Sequence, residues 1–140
     1  MKEQVYLLEQ FDEKKILRYD VPAFEGLSLR EKLFVFYLSR AALAGRDILW
    51  DQNNKYNLRV RAALESILRA YQGNRETEEF QAFLVYAKKV FFANGVHHHY
   101  SMEKFTPSFT PEYFKSLLRE VGAEQLYEEV ERVIFDQKYM

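Results

Sequence analysis

The sequence contains no cysteine, only five glycines and three prolines, and no long hydrophobic run. Without cysteine the chain forms no disulfide and no zinc site built from thiolates, although this absence does not decide between the cytosol and an oxidising compartment. The apolar runs are too short and too often interrupted to cross a membrane. The opening residues, MKEQVYLLEQ, lack the apolar stretch of a signal peptide. This favours the cytoplasm, and a secreted or periplasmic location stays open if a signal peptide has been removed.

Charge of one sign is also lacking, because the formal net charge is −1 and acidic and basic residues are interleaved. No broad basic surface is expected, which argues against nucleic acid as a partner. The chain is 48% hydrophobic and has twelve phenylalanines and ten tyrosines, enough to build a core and to argue against disorder. From its length we expect residues 1–140 to form a single domain, or a piece of one.

The first part of the chain contains one strong helix signal. Residues 2–11 are compatible with a short helix, and residues 16–21 with a short extended segment that ends at a proline. Ser28 and Glu31 have the spacing of a capping box, which predicts that a helix begins there. Gly45 is either the C-terminal cap of this helix or a close-approach point within a longer one.

Four further helices are predicted from apolar residues at helical spacing. Their approximate bounds are 54–71, 76–94, 110–122 and 123–135. Glycines near the ends of three of these helices are candidate stops; they are Gly73, Gly95 and Gly122. The pattern predicts a mainly α fold with about five helices and at most one short extended segment.

All three histidines lie in one run, His97-His98-His99, followed by Tyr100. The run follows the third predicted helix, and we expect a loop, the kind of segment that often carries function. Zinc binds imidazole nitrogen, but in an extended chain only residues two apart share a face. At most His97 and His99 would converge on one ion, and the other ligands would have to come from elsewhere. We therefore favour a polar loop that contacts a ligand or another domain over a metal site.

Residues 45–57 form a second candidate segment, because they are rich in amides and carboxylates and contain the single tryptophan. In the functional interpretation, three side chains orient a substrate: Asp51, Asn53 and Asn57. In the structural interpretation, Asn53 or Asn54 caps the following helix, Arg46 and Asp47 form a local ion pair, and Trp50 packs against its neighbours. The second interpretation is favoured because Asn and Asp before a helix are usually caps.

No sequence motif assembles a catalytic centre. The chain has no G-x-S-x-G, P-loop, G-x-G-x-x-G or His-Glu-x-x-His pattern, and no catalytic or metal-binding residues are assigned. The charged run at 128–132 lies in a predicted helix and is expected to be its solvated face.

Four groups of motifs occur in order between about residues 19 and 114. They are SRAA with GRDI at 39–48, DQN with KYN at 51–57, FQAFLVYA at 80–87, and NGVHHHYSMEKFTP at 94–107. Together they resemble the N-terminal part of bacterial dipeptidyl peptidase III, the zinc metallopeptidases of family M49. The resemblance implies an N-terminal fragment of a longer enzyme, belonging to the lower lobe of a two-lobed peptidase.

Members of that family remove dipeptides from the free N-terminus of short peptides. Their zinc ligands come from a His-Glu-x-x-x-His motif and from a later glutamate in a Glu-Glu-x-Arg-Ala type motif. This chain has neither motif, and its run at 128–132 departs from the second. The resemblance therefore implies zinc in the full-length enzyme, no cofactor in this chain, and no peptidase activity of the isolated chain.

The resemblance also indicates which residues bind substrate. In eukaryotic members the segment matching 95–105 reads GNYKSFGDTKF, and its first phenylalanine contacts bound peptide. Tyr100 takes that position here, and His98 and His99 are expected to line the same cleft. The implied partners are short peptides and the remaining domain of the same polypeptide. Apolar surface that is exposed on a fragment is expected to drive formation of a dimer. The alternative is a stand-alone helical module that binds a peptide or protein without catalysis.

Overall fold

The computed structural model describes residues 6–139 and is mainly helical, which confirms the predicted fold class. Its elements are β1 (Leu7–Phe11), β2 (Lys14–Leu17), a short 3₁₀ turn (Pro22–Phe24), α1 (Leu29–Ala44), α2 (Arg46–Asn53), α3 (Asn57–Ala70), α4 (Glu78–Ala93), α5 (Pro111–Glu120) and α6 (Gln125–Phe135). The chain divides between Arg46 and Asp47 into two compact units. The single domain expected over residues 1–140 stays a prediction. No helix in the described range has the length and apolar content needed to cross a membrane.

The first unit begins with a hairpin where a helix was predicted. β1 and β2 pair antiparallel, with Phe11 opposite Lys14 across a two-residue turn. Asp12 in this turn has a φ of 50°, a conformation that aspartate tolerates better than most residues. The helix predicted over residues 2–11 is therefore wrong for 7–11, while residues 2–5 lie outside the described residues. A short loop that fixes strand pairing outweighs the weak propensity of an isolated short helix.

α1 begins at the predicted capping box. The Ser28 hydroxyl accepts a hydrogen bond from the Glu31 amide at 3.4 Å, and the Ser28 amide donates to the Glu31 carboxylate at 2.8 Å. The Ser28 hydroxyl also donates to the Glu31 carboxylate, at 2.7 Å. The bonds that this carboxylate accepts lower the pKa of Glu31, and the bond from the hydroxyl has the larger effect. Gly45 is the C-terminal cap of α1, which settles the alternative left by the sequence.

None of the α1 side chains is buried. Its large apolar residues are between 40% and 73% exposed: Leu29, Leu33, Phe34, Val35, Phe36, Tyr37, Leu38 and Leu43. At 100° per residue these positions are distributed around the whole helix rather than along one stripe. A helix that is apolar on every side is typical of one enclosed by protein, so α1 has the composition of a core helix.

The second unit contains an aromatic core built mainly from α3 to α6. The buried face of α3 consists of Val60, Ala63, Leu64 and Ile67, and that of α4 includes Phe80, Phe83, Ala87 and Val90. The Phe83 ring lies 5.9 Å from Phe109 and 6.4 Å from Phe114, between centroids. These spacings are typical of packed aromatic rings. The apolar stripes predicted for the second and third helices are confirmed.

Helix ends differ from the predictions at two glycines. α3 ends at Ala70 with Tyr71 extended, so the predicted left-handed cap at Gly73 is wrong. Gly73 instead lies against the Tyr71 ring, where a Cβ would overlap it. After α4 the left-handed residue is Asn94, with a φ of 56°, rather than Gly95. Gly122 follows α5 with a φ of +71°, as expected of a glycine that closes a helix.

We predict that the 140-residue protein self-associates through α1, because exposed apolar surface of this kind favours association. Replacing Phe34 and Tyr37 together with glutamate should reduce the association measured by light scattering across a concentration series. The control is the pair Gln72→Glu and Gln137→Glu, which adds the same charge at exposed positions elsewhere. A wild-type protein that stays monodisperse and monomeric at high concentration would contradict the prediction.

Candidate functional site

The candidate site is the segment that follows α4, residues 95–105, here called the histidine loop. It folds back on itself as two short arms joined by backbone hydrogen bonds. The Phe105 amide donates to the Val96 carbonyl at 2.9 Å, and the His98 amide donates to the Glu103 carbonyl at 2.7 Å. The prediction of a non-helical segment here is confirmed, and its shape is that of a narrow antiparallel loop.

The tip of the loop brings the three predicted substrate-binding residues together. The Ser101 amide donates to the His98 carbonyl at 3.1 Å, which closes a turn. The rings of His98 and His99 stack with centroids 4.6 Å apart, and His99 lies 4.1 Å from Tyr100. His97 lies apart from this group, because it is paired with Lys104 across the two arms of the loop.

The tip presents aromatic faces and imidazole nitrogens to solvent. Tyr100 is 88% exposed, and its amide donates to His98 Nδ1 at 3.3 Å. His98 Nδ1 is therefore an acceptor, which leaves Nε2 as the ring nitrogen that carries the proton in the neutral form. Phe92 on α4 contacts His99 edge to face at 5.4 Å, and Phe105 contacts His98 at 6.2 Å. Such a cluster can pack against a peptide and donate hydrogen bonds to its carbonyls.

The first arm of the loop is held by the buried side chain of Asn57, which has no exposed surface. Asn57 Oδ1 accepts a hydrogen bond from the Val96 amide at 3.2 Å. Asn57 Nδ2 donates to the Trp50 carbonyl at 3.1 Å. The amide therefore satisfies one backbone group of the loop and one of α2.

The second arm is held by Lys104, which is only 7% exposed. Its ammonium donates to the carbonyls of Asp136 at 2.8 Å and Tyr139 at 2.5 Å, in the segment that follows α6. Burial lowers the pKa of Lys104, and the nearby Asp136 carboxylate partly opposes this shift. A buried cation needs such acceptors, because unpaired burial of a charge is costly.

His97 belongs to the first arm, and its half-buried side chain lines a cavity. It pairs with Lys104 across the loop at a position without mutual backbone hydrogen bonds, where opposing side chains lie close together. A cavity of about 70 Å³ lies beside it and is lined by Asn53, Asn57, Ala93, Gly95, His97, Ser101 and Met102. Burial lowers the pKa of His97, and the positive charge of Lys104 lowers it further.

The second candidate segment is mostly the helix α2, which the sequence prediction missed. Trp50 is 2% exposed and packs edge to face against Phe91, with centroids 5.9 Å apart. The Arg61 guanidinium lies 5.4 Å from the Trp50 ring centroid. Asp47 pairs with Arg61 at 2.5 Å, so the predicted pair with Arg46 is wrong. Neighbouring residues on a helix point in different directions, and Asp47 therefore meets α3 instead.

The amides before α3 have structural partners. Asn54 Oδ1 accepts from the Tyr56 amide at 2.9 Å, and Asn53 Nδ2 donates to the Leu49 carbonyl at 3.0 Å. Asn53 and Asn57 also line the cavity beside His97, so the structure joins part of this segment to the histidine loop. The role of Asp51, Asn53 and Asn57 in orienting a substrate stays a prediction.

The charged run on α6 is solvated, as predicted. Glu128, Glu129 and Arg132 are exposed, and Glu129 pairs with Arg59 at 3.3 Å. Between residues 6 and 139, no three histidine, aspartate or glutamate side chains come close enough together to hold a metal ion.

Comparison with known proteins relates this chain to a peptidase. No protein-family model matches the chain. Human dipeptidyl peptidase 3 is 30% identical over 121 residues, a match that covers 79% of this chain and 16% of the human enzyme. The chain is therefore similar to part of a dipeptidyl peptidase and spans only a small share of that relative's length.

We predict that protonation of His97 destabilises the folded protein. In the unfolded chain its pKa lies near the ordinary 6.5, whereas the folded pKa is lower, so the unfolded state binds more protons between these two values. The free energy of unfolding should therefore fall as the pH drops below about 6.5, and the contribution of this group should level off below the folded pKa. Urea unfolding at several pH values measures the effect.

His97→Gln should remove this part of the pH dependence, because glutamine does not titrate. His99→Gln removes an imidazole from the exposed tip and serves as the control. An unchanged pH dependence in His97→Gln would show that His97 is not the responsible group.

Proposed function

We propose that this chain is a segment of a zinc-dependent dipeptidyl peptidase that removes dipeptides from the N-terminus of short peptides. The proposal is supported by the similarity to human dipeptidyl peptidase 3. Within that enzyme the histidine loop forms part of the wall of the peptide cleft. The observation that carries this assignment is the cluster of half-buried His98 with exposed His99 and Tyr100, on a loop whose two arms are anchored by buried polar groups.

The chemistry of the tip suits an extended peptide. The Tyr100 ring offers a flat apolar surface to a side chain or to the peptide backbone, and its hydroxyl can form a hydrogen bond. The imidazoles of His98 and His99 supply further donors for peptide carbonyls. An aromatic side chain with few rotatable bonds loses little conformational entropy on binding, especially when its loop is already ordered.

The described residues do not fit a zinc site, since no suitable group of three ligands lies together among them. In this proposal zinc is held by another part of the longer enzyme, and this chain contributes peptide binding only. The remaining domain of the same polypeptide is then a partner of this chain. The apolar surface of α1 is suited to such a partner.

The same α1 surface supports a second candidate, a helical module that binds a protein without any catalysis. The two candidates differ in what the parent gene encodes. A reading frame that continues into a His-Glu-x-x-x-His motif supports the peptidase, and a stop codon after Met140 supports the module.

We predict that Tyr100→Ala weakens binding of a short peptide with a free N-terminus, for which tetra-alanine is the probe. Loss of one aromatic contact of about 1 kcal/mol corresponds to roughly fivefold weaker binding. Titration followed by NMR measures the affinity. Tyr19→Ala removes a comparably exposed tyrosine, 81% exposed, from the first unit and is the matched control. Equal affinities of Tyr100→Ala and wild type would contradict the proposed contact.

We predict that the isolated 140-residue chain releases no dipeptide from a dipeptidyl arylamide, with or without added zinc. The reason is that its described residues hold no metal-binding cluster. Release of the chromogenic amine is measured by absorbance, with human dipeptidyl peptidase 3 as the positive control. Zinc-dependent release by the pure chain would refute the prediction.

A further inference from the structure

We propose that Asn57 is a positioning residue that fixes the register of the histidine loop and thereby places its peptide-contacting tip. The functional consequence rests on the proposed contact between Tyr100 and peptide. The geometry on which the positioning rests is independent of that function.

Asn57 is a fully buried polar side chain in the first turn of α3. Burying an amide is unfavourable unless both of its ends form hydrogen bonds. Its Nδ2 donates to the Trp50 carbonyl at 3.1 Å, in the last turn of α2, where carbonyls lack helical partners. Its Oδ1 accepts from the Val96 amide at 3.2 Å. One side chain thus connects two helices to the first arm of the loop.

Gly95 provides the space for this connection. A Cβ at this position would overlap the Asn57 amide and would lie 2.9 Å from its Cγ. Real Cβ atoms do not approach a neighbour so closely, and the collision is with an amide that is held at both ends. Gly95 is not in the left-handed region, so its role here is to leave room for Asn57.

Successive side chains along each arm of the loop point to opposite faces, and this alternation determines how the tip is presented. His97 faces the cavity beside Asn57, while His98 contacts the Phe105 ring with centroids 6.2 Å apart. A shift of one residue along an antiparallel pair exchanges the faces of all its side chains. The bond from Val96 to Asn57 sets the residue at which the first arm begins, so it decides which histidine faces inward and where Tyr100 emerges.

The test compares local with global protection of backbone amides from hydrogen exchange. The reporters are the amides of His98 and Phe105, which close the loop, and the amide of Leu64, which lies in the core. In Asn57→Ala and Gly95→Ala, loop protection should fall about tenfold relative to Leu64, because the loop opens without the core unfolding.

Two further variants separate positioning from general stability. Thr110→Ala removes the N-cap of α5, whose hydroxyl accepts from the Tyr113 amide at 3.1 Å, five residues after the end of the loop. It leaves the anchors of the loop at Asn57 and Lys104 intact and weakens the fold as a whole, so it should lower protection in loop and core to the same degree. Asn57→Asp keeps an acceptor for the Val96 amide, and it should retain more loop protection than Asn57→Ala. If Asn57→Ala fails to fold, Gly95→Ala and Asn57→Asp provide the same comparison.

The proposal would be overturned if, in both Asn57→Ala and Gly95→Ala, protection of the loop amides fell only as much as protection of the core amide. Binding of tetra-alanine, observed as a shift of the Tyr100 amide resonance, should be weakened by both variants and retained by Thr110→Ala. If wild-type protein does not bind tetra-alanine, the proposed function fails while the exchange data still decide the role of Asn57.

Discussion

Buried polar groups that require partners inside the protein control the placement of the histidine loop. A buried donor or acceptor left unpaired costs more free energy than an ordinary hydrogen bond contributes, so these groups tolerate few alternative arrangements. The Asn57 amide is paired at both ends, and the Lys104 ammonium is paired with two carbonyls. Each arm of the loop is thereby tied to a different part of the second unit.

The aromatic core supplies the rigid support from which the loop departs. α4 buries Phe80, Phe83 and Tyr86 and ends at Asn94, whose left-handed conformation turns the chain out of the helix. Hydrophobic packing fixes where the helix lies, but it is non-directional and does not choose a register for the chain that follows. Directional hydrogen bonds to Val96 and from Lys104 make that choice.

Local signals predicted much of the fold, whereas interactions distant in sequence were missed. The capping box at Ser28 and the stripe on α3 are encoded within a few residues and are confirmed. The first hairpin was missed because its turn lacks the usual asparagine-glycine or aspartate-glycine pair. α2 was missed because its amides and carboxylates suggested a loop. The histidine loop itself was predicted, but the partner of Val96 lies 39 residues away at Asn57, and no local pattern reveals such a bond.

The division between a fixed base and an exposed tip has a consequence for how this protein can evolve. At the base, changes at Asn57, Gly95 or Lys104 disturb buried groups and are expected to be eliminated by selection for folding. At the tip, Tyr100 and His99 are exposed and make no hydrogen bond to the core through their side chains. New side chains can therefore be sampled there at little cost in stability, so specificity for different ligands can diverge among relatives while the scaffold stays the same.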